Sequence, residues 1–295
     1  MPRPFSGFLL VSVGIVLLVL PGRLAADHSL RPPTSYAQFG APDQNEGRKV
    51  IEDFRRQGIA VPYYLDFSLR VMPRRGPEKL YHGELRGARN DRGTISRLSL
   101  RPAGDSAAAD ELRLLIQNGP APAVWRWTGV QPAVVTPLAV NELFQPVGET
   151  DLTAFDLQMP FLYWPDYTYE GLAKLRGRPA HQFLMYPPDE LTHQYPALTG
   201  VRIYLDTQFN ALVQAELIGE KNQVLKSITV LDLRKVHDQW IIESLDLRDE
   251  TTRNKTRFEV QGAALNLDFA GALFDPESLK DAVTPLAHDQ VTWLQ

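Results

Sequence analysis

The chain has 295 residues, a formal net charge of −4 and no cysteine. Its proportions of apolar and charged residues are those of ordinary globular proteins and fit one large domain or two small ones. The acidic balance without a clustered basic face argues against a nucleic-acid binder, and the missing cysteines exclude disulfides and a lipid-modified N-terminal cysteine.

Residues 1–26 have the layout of a secretory signal. Arg3 precedes an apolar run from Phe5 to Leu20, Pro21-Gly22 breaks it, and Leu24-Ala25-Ala26 supplies small residues before Asp27. The run is shorter than the ~20 residues a spanning helix needs, so export to the periplasm with cleavage after Ala26 is expected. An uncleaved N-terminal anchor is the alternative. Cleavage would remove Arg3 and Arg23 and no acid, taking the net charge from −4 to about −6.

Residues 27–45 are polar and proline-rich and read as a flexible leader. Residues 46–57 read as a short amphipathic helix with Val50, Ile51 and Phe54 on one side and Gly58 as its stop. In "YYLDFSLRVM", Leu65, Phe67, Leu69 and Val71 alternate with Tyr64, Asp66, Ser68 and Arg70, the pattern of a strand with one buried face. Strands are expected at 79–87, 94–101 and 111–117, with a loop or a brief helical turn at 104–110. Trp125 and Trp127, two apart, share a face if they lie in a strand.

Residues 148–171 differ. Thr150 or Asp151 can cap a helix in which Leu152, Phe155, Met159 and Leu162 fall near helical spacing. Pro160 breaks or ends it, and Phe161, Tyr163, Trp164, Tyr167 and Tyr169 crowd into an aromatic loop. Asp189-Glu190, beside Pro187-Pro188, read as a solvated turn. A meander is expected at 169–175, 179–186, 201–206, 211–218, 225–235, 240–249 and 255–265, joined by short hairpin turns. "LFDPESLKD" reads as a closing helical turn. Ten or eleven consecutive antiparallel strands must curl or split, because open sheets of that width seldom stay flat.

The six histidines have no metal-ligand spacing, and no nucleophile elbow, phosphate loop, HExxH or dinucleotide fingerprint is present. No catalytic residue, metal or cofactor is therefore assigned, and an enzyme is not expected. What stands out is aromatic. Trp125, Trp127, Phe155, Phe161, Tyr163, Trp164, Tyr167 and Tyr169 fall within fifty residues of one another around the helix and loop. They are either plain core or the wall of an apolar pocket, with the helix as a lid over a curved sheet.

From Gly148 onward the chain resembles bacterial outer-membrane lipoprotein-sorting proteins of the LolA-like fold. The resemblance is carried, in order, by "GETDLTAFDL", "LAKLRGRPAHQFLMYP", the meander from Val201 to Val260 with Trp240 entering a strand, and the closing "LFDPESL". Ile242 stands where that family often has proline. The resemblance implies a mainly β fold, a strongly curved antiparallel half-barrel with a helical lid, and places the family's cavity-mouth arginine at Arg101.

The expected organisation is a signal at 1–26, a leader at 27–45, one LolA-like domain at 46–285 and a C-terminal tail at 286–295. The implied function is a periplasmic carrier, monomeric and free of nucleic acid, that holds the acyl chains of lipoproteins or other lipids. Its partners would be an inner-membrane donor complex and an outer-membrane acceptor. The alternative is a lipid- or lipoprotein-sensing regulatory module on the same fold. Leu65, Phe67, Leu69, Trp125, Trp127, Phe155, Phe161 and Trp164 are the expected lining of one apolar cavity.

Overall fold

The computed structural model describes residues 41–56, 61–104, 111–119, 121–129 and 134–294. The expected signal and all of the leader before residue 41 lie outside the described residues. Within the described residues, fourteen strands form one antiparallel sheet.

Six strands form the first meander: β1 (Tyr63–Met72), β2 (Lys79–Asn90), β3 (Gly93–Pro102), β4 (Leu112–Gln117), β5 (Ala123–Thr128) and β6 (Val135–Pro137). Seven form the second: β7 (Tyr167–Leu175), β8 (Arg178–Met185), β9 (Gly200–Asp206), β10 (Leu212–Ile218), β11 (Val224–Val236), β12 (Gln239–Asp249) and β13 (Lys255–Leu265). The two meanders join where β1 pairs with β13, Phe67 opposite Val260 and Leu69 opposite Phe258. This leaves β6 and β7, neighbours in the chain, at opposite ends of the sheet. The segment between them must therefore cross the whole sheet.

The sheet is curved. Strands ~4.8 Å apart would put β8 and β11 about 14 Å apart if flat, beyond the span of one arginine side chain. Yet Arg176, in the β7–β8 turn, donates to the Val230 carbonyl of β11 at 3.3 Å. The inner face carries the main core. Leu65, Leu85, Leu98 and Leu114 are opposed in register across β1 to β4, and all are buried. Phe67 lies over Gly83, where a Cβ would come within 2.1 Å of its ring, and packs on Phe258 at 4.6 Å between centroids.

Helix α1 (Gln44–Arg56) buries Ile51 and Phe54, as its periodicity predicts. It docks against edge strand β7, where Gln44 both accepts from the Tyr169 amide and donates to the Tyr169 carbonyl, each at 2.9 Å. A side chain at Gly47 would meet Tyr169 Cβ at 2.4 Å, so only glycine allows this approach. Among the described residues no helix is long and apolar enough to cross a membrane.

The outer face of the first meander, from β3 to β6, is covered by the C-terminal segment. Two 3-10 turns, Gly271–Phe274 and Pro276–Lys280, lie where the closing turn was expected. The expected tail at 286–295 is tied to the sheet through a two-residue strand, β14 (Thr292–Trp293), which pairs with β13.

Candidate functional site

The crossing segment roofs the inner face. It consists of a 3-10 turn (Val140–Phe144), helix α2 (Ala154–Gln158) and a second 3-10 turn (Pro160–Tyr163). The cap of α2 is Thr153, not Thr150 or Asp151 as the sequence pattern implied. Thr153 Oγ1 accepts from the Asp156 amide while the Asp156 carboxylate accepts from the Thr153 amide, so the two satisfy each other. Thr150 instead donates from Oγ1 to the Val147 carbonyl at 2.7 Å and steadies the turn ahead of the helix. Met159 ends α2 in the left-handed conformation, and Pro160 then begins the next turn, so the chain doubles back over the sheet.

The roof is pinned at several strands. Lys226, on the inner face of β11, donates to the Asp151 carbonyl and to Asp156 Oδ2, both at 2.8 Å. Asp151 Oδ2 accepts from Thr256 of β13 at 3.1 Å, and Gln158 donates to the Gln117 carbonyl of β4 at 3.2 Å. Arg55 of α1 donates to the Leu162 and Trp164 carbonyls at 2.7 Å each. Burial lowers the Arg55 guanidinium from its ordinary value, with Tyr167 opposing. Asp156 is 1% exposed, and its Oδ1 has no hydrogen-bond partner.

Phe155, Phe161 and Trp164 meet beneath this roof, with ring centroids 5.9 to 6.3 Å apart. All three belong to the buried cluster that contains Leu65, Phe67 and Leu69. The stack extends to residues that the sequence pattern did not single out. Phe144 lies 4.6 Å from Phe155 and 3.8 Å from Tyr195, which follows helix α3 (Asp189–Gln194), the segment read as a turn. A void of about 20 Å³ remains between roof and sheet, lined by Leu152, Asp156, Leu157, Met159, Ile228, Leu245, Leu247 and Phe258. This holds on the order of one water.

Trp125 and Trp127 are not part of this assembly. They do share a face of β5, but it is the outer one. β5 pairs with β4 in the register Leu115 to Trp125 and Arg113 to Trp127, which puts both indoles in a separate cluster with Ile95, Leu115, Phe274 and Leu279. The Arg113 guanidinium stacks over Trp127 at 4.2 Å. The placement of Arg101 at the cavity mouth is also corrected. Its neighbour Leu100 points into the inner core, so Arg101 lies on the outer face. Lys226 of β11 reaches the roof from the inner face, through Asp151 and Asp156. Alternation showed which residues share a face, but not which face would be covered by the crossing segment.

None of the curated proteins compared matches the chain. Among solved structures, a domain named for outer-membrane lipoprotein sorting, from Vibrio parahaemolyticus, is similar at 12% identity and a TM-score of 0.69, covering 81% of this chain and 100% of that one. A DUF1329 family protein from Desulfovibrio piger is similar at 11% identity and a TM-score of 0.68, covering 80% and 98%. A LolA superfamily protein from Nitrosomonas europaea is similar at 11% identity and a TM-score of 0.58, covering 77% and 96%. A family model described as "Uncharacterized protein" matches residues 132–281, the roof, the whole second meander and the first turns of the C-terminal segment. The chain belongs to that family, and its fold is LolA-like.

Proposed function

We propose that the chain is a periplasmic carrier that takes the acyl chains of lipoproteins or other lipids between its inner sheet face and the α2 roof, on the way to the outer membrane. One observation carries the reading. A continuous apolar sheet face is covered by a short segment that lays its own apolar side chains on it, is anchored to it by a few polar contacts, and lies outside the strand ladder. Leu65, Phe67, Leu69, Phe155, Phe161 and Trp164 are its proposed lining. No covalent step or cofactor is required, because the work is done by apolar area. An acyl chain of ~15 methylenes gains about 12 kcal/mol gross at ~0.8 kcal/mol each. Displacing the roof and ordering the chain offset part of this, which keeps release feasible.

The test is transfer of a fluorescent acyl lipid from donor to acceptor vesicles in the presence of the protein, with mass spectrometry of lipids that co-purify. A carrier raises the transfer rate in proportion to its concentration. Saturable binding of the lipid without transfer would replace the carrier with a sensor, and no binding would end both readings.

A further inference from the structure

The outer face holds a cavity of about 210 Å³ beneath the C-terminal strap, on the side of the sheet away from the roof. Its walls include Arg86, Arg97, Arg101, Arg113 and His82, together with Asp66, Glu84 and Glu111. Four arginines face three carboxylates, an excess of one positive charge in a chain that is negative overall. Register makes the crowding sharper. Arg86 of β2 lies directly opposite Arg97 of β3, and His82 lies opposite Arg101. Arg86 and Arg97 are each only 3% exposed. Like charges directly opposed across a sheet destabilise it. Burial, then Arg113 and Arg86, lower the Arg97 guanidinium to about 10.

Two of these arginines have a structural task. Arg97 donates to the Ser278 and Asp281 carbonyls, and Arg113 to the Leu279 and Asp281 carbonyls, so both clamp the strap. Arg86 does not. Its Nη1 donates to Glu84 at 2.7 Å and its guanidinium lies 5.0 Å from the Tyr64 ring, but its buried Nη2 has no hydrogen-bond partner. The side chains of Arg101 and His82 are exposed, make no hydrogen bond among the described residues and have Asp66 as their nearby countercharge. A buried charged donor left unpaired is costly and rare. The strap accounts for Arg97 and Arg113, and leaves Arg86, Arg101 and His82 around one cavity with donors to spare. We infer that this cavity binds a phosphate-class oxyanion, with Arg86 and Arg101 as its charged donors and His82 beside them. Planar guanidinium forks match such an anion, and the volume far exceeds the ~10–15 Å³ that one water needs. The anion is either free phosphate or the phosphate of a lipid headgroup.

The experiment titrates the full chain with inorganic phosphate at constant ionic strength, followed by calorimetry and by phosphorus NMR. Parallel titrations use monomeric dihexanoyl phosphatidic acid. Saturable phosphate binding that sulfate displaces is expected, weakened about tenfold or more by Arg101→Gln and lost in Arg86→Met. Arg101 is exposed and outside the clamp, so Arg101→Gln should melt like the wild type and decides the matter even if Arg86→Met does not fold. Tighter binding of the phosphatidic acid than of phosphate, lost in Arg101→Gln, identifies a headgroup; equal binding identifies the free anion. Absence of saturable phosphate binding, or binding unchanged in Arg101→Gln, overturns the site. Phosphatidic acid binding that survives Arg101→Gln assigns that lipid to the inner face, which separates failure of this site from failure of the carrier reading.

Discussion

Lys226→Met tests whether the α2 roof is a separately opening unit. Lys226 is 9% exposed and its partner Asp156 is 1% exposed. Removing one member of a buried pair costs about 3–5 kcal/mol because the other charge stays buried. Asp156 keeps two of its contacts, the Thr153 amide at 2.9 Å and the Thr153 hydroxyl at 2.7 Å, so the lower end, about 3 kcal/mol, applies. The lost contacts hold the roof and not the strand ladder. The cost should therefore appear as local opening, a fall of about a hundredfold in hydrogen-exchange protection across residues 150–166, while amides of β1, β12 and β13 keep theirs. Uptake of a fluorescent acyl probe should become faster in the same variant. The double variant Lys226→Met, Asp156→Asn should lose less than the two single changes summed, since neither charge is then stranded. Equal loss of protection in roof and sheet, or no change in the roof, would refute the reasoning.

Two further outcomes follow from burial. Phe155, fully buried, should cost about 3–5 kcal/mol when changed to Ala, and acyl-probe binding should weaken with it; Trp127→Ala should destabilise from the outer face and leave probe binding intact, and denaturant melts with probe titrations of both variants check this. Burial pushes Tyr63 to about 12, as it does Tyr169, with Glu46 adding, and Tyr204, with Glu216 adding. Their folded values exceed the ~10 of an unfolded chain, so the stability they support is complete below pH ~10 and is lost as the pH rises toward 12. Phenolate absorbance of Tyr→Phe variants at 63, 169 and 204 and denaturant melts between pH 8 and 12 measure this, and ionisation of these three tyrosines near 10 in the native protein would contradict it.

Much of the sheet was legible in the chain because its signals are local. The alternation in "YYLDFSLRVM" placed Leu65, Phe67 and Leu69 on one face, and these residues share the main core. Short turns marked the second meander so closely that β13 runs over Lys255–Leu265, as read from the sequence. The signal for α2 was present but was read two or three residues early, at Thr150 or Asp151. Thr150, Asp151 and Thr153 are all competent caps, and the choice of Thr153 depends on Asp156 lying three residues further on, where it also meets Lys226.

Other features required tertiary structure. Period two says which side chains travel together, not which side of the sheet they will occupy. The registers of β4 with β5, of β2 with β3 and of β1 with β13 turned Trp125, Trp127 and Arg101 outward and Leu65 and Phe67 inward. Lys226 and Asp156 are seventy residues apart, and nothing in either neighbourhood announces the pair. The same is true of Arg86 opposite Arg97, which are polar positions on two ordinary strands until the register opposes them and the strap buries them. Local chemistry determined where this chain forms strands. Only the joining of the two meanders, by pairing the first strand with the last long one, and the crossing of the segment between them decided which residues face the roof and which face the strap.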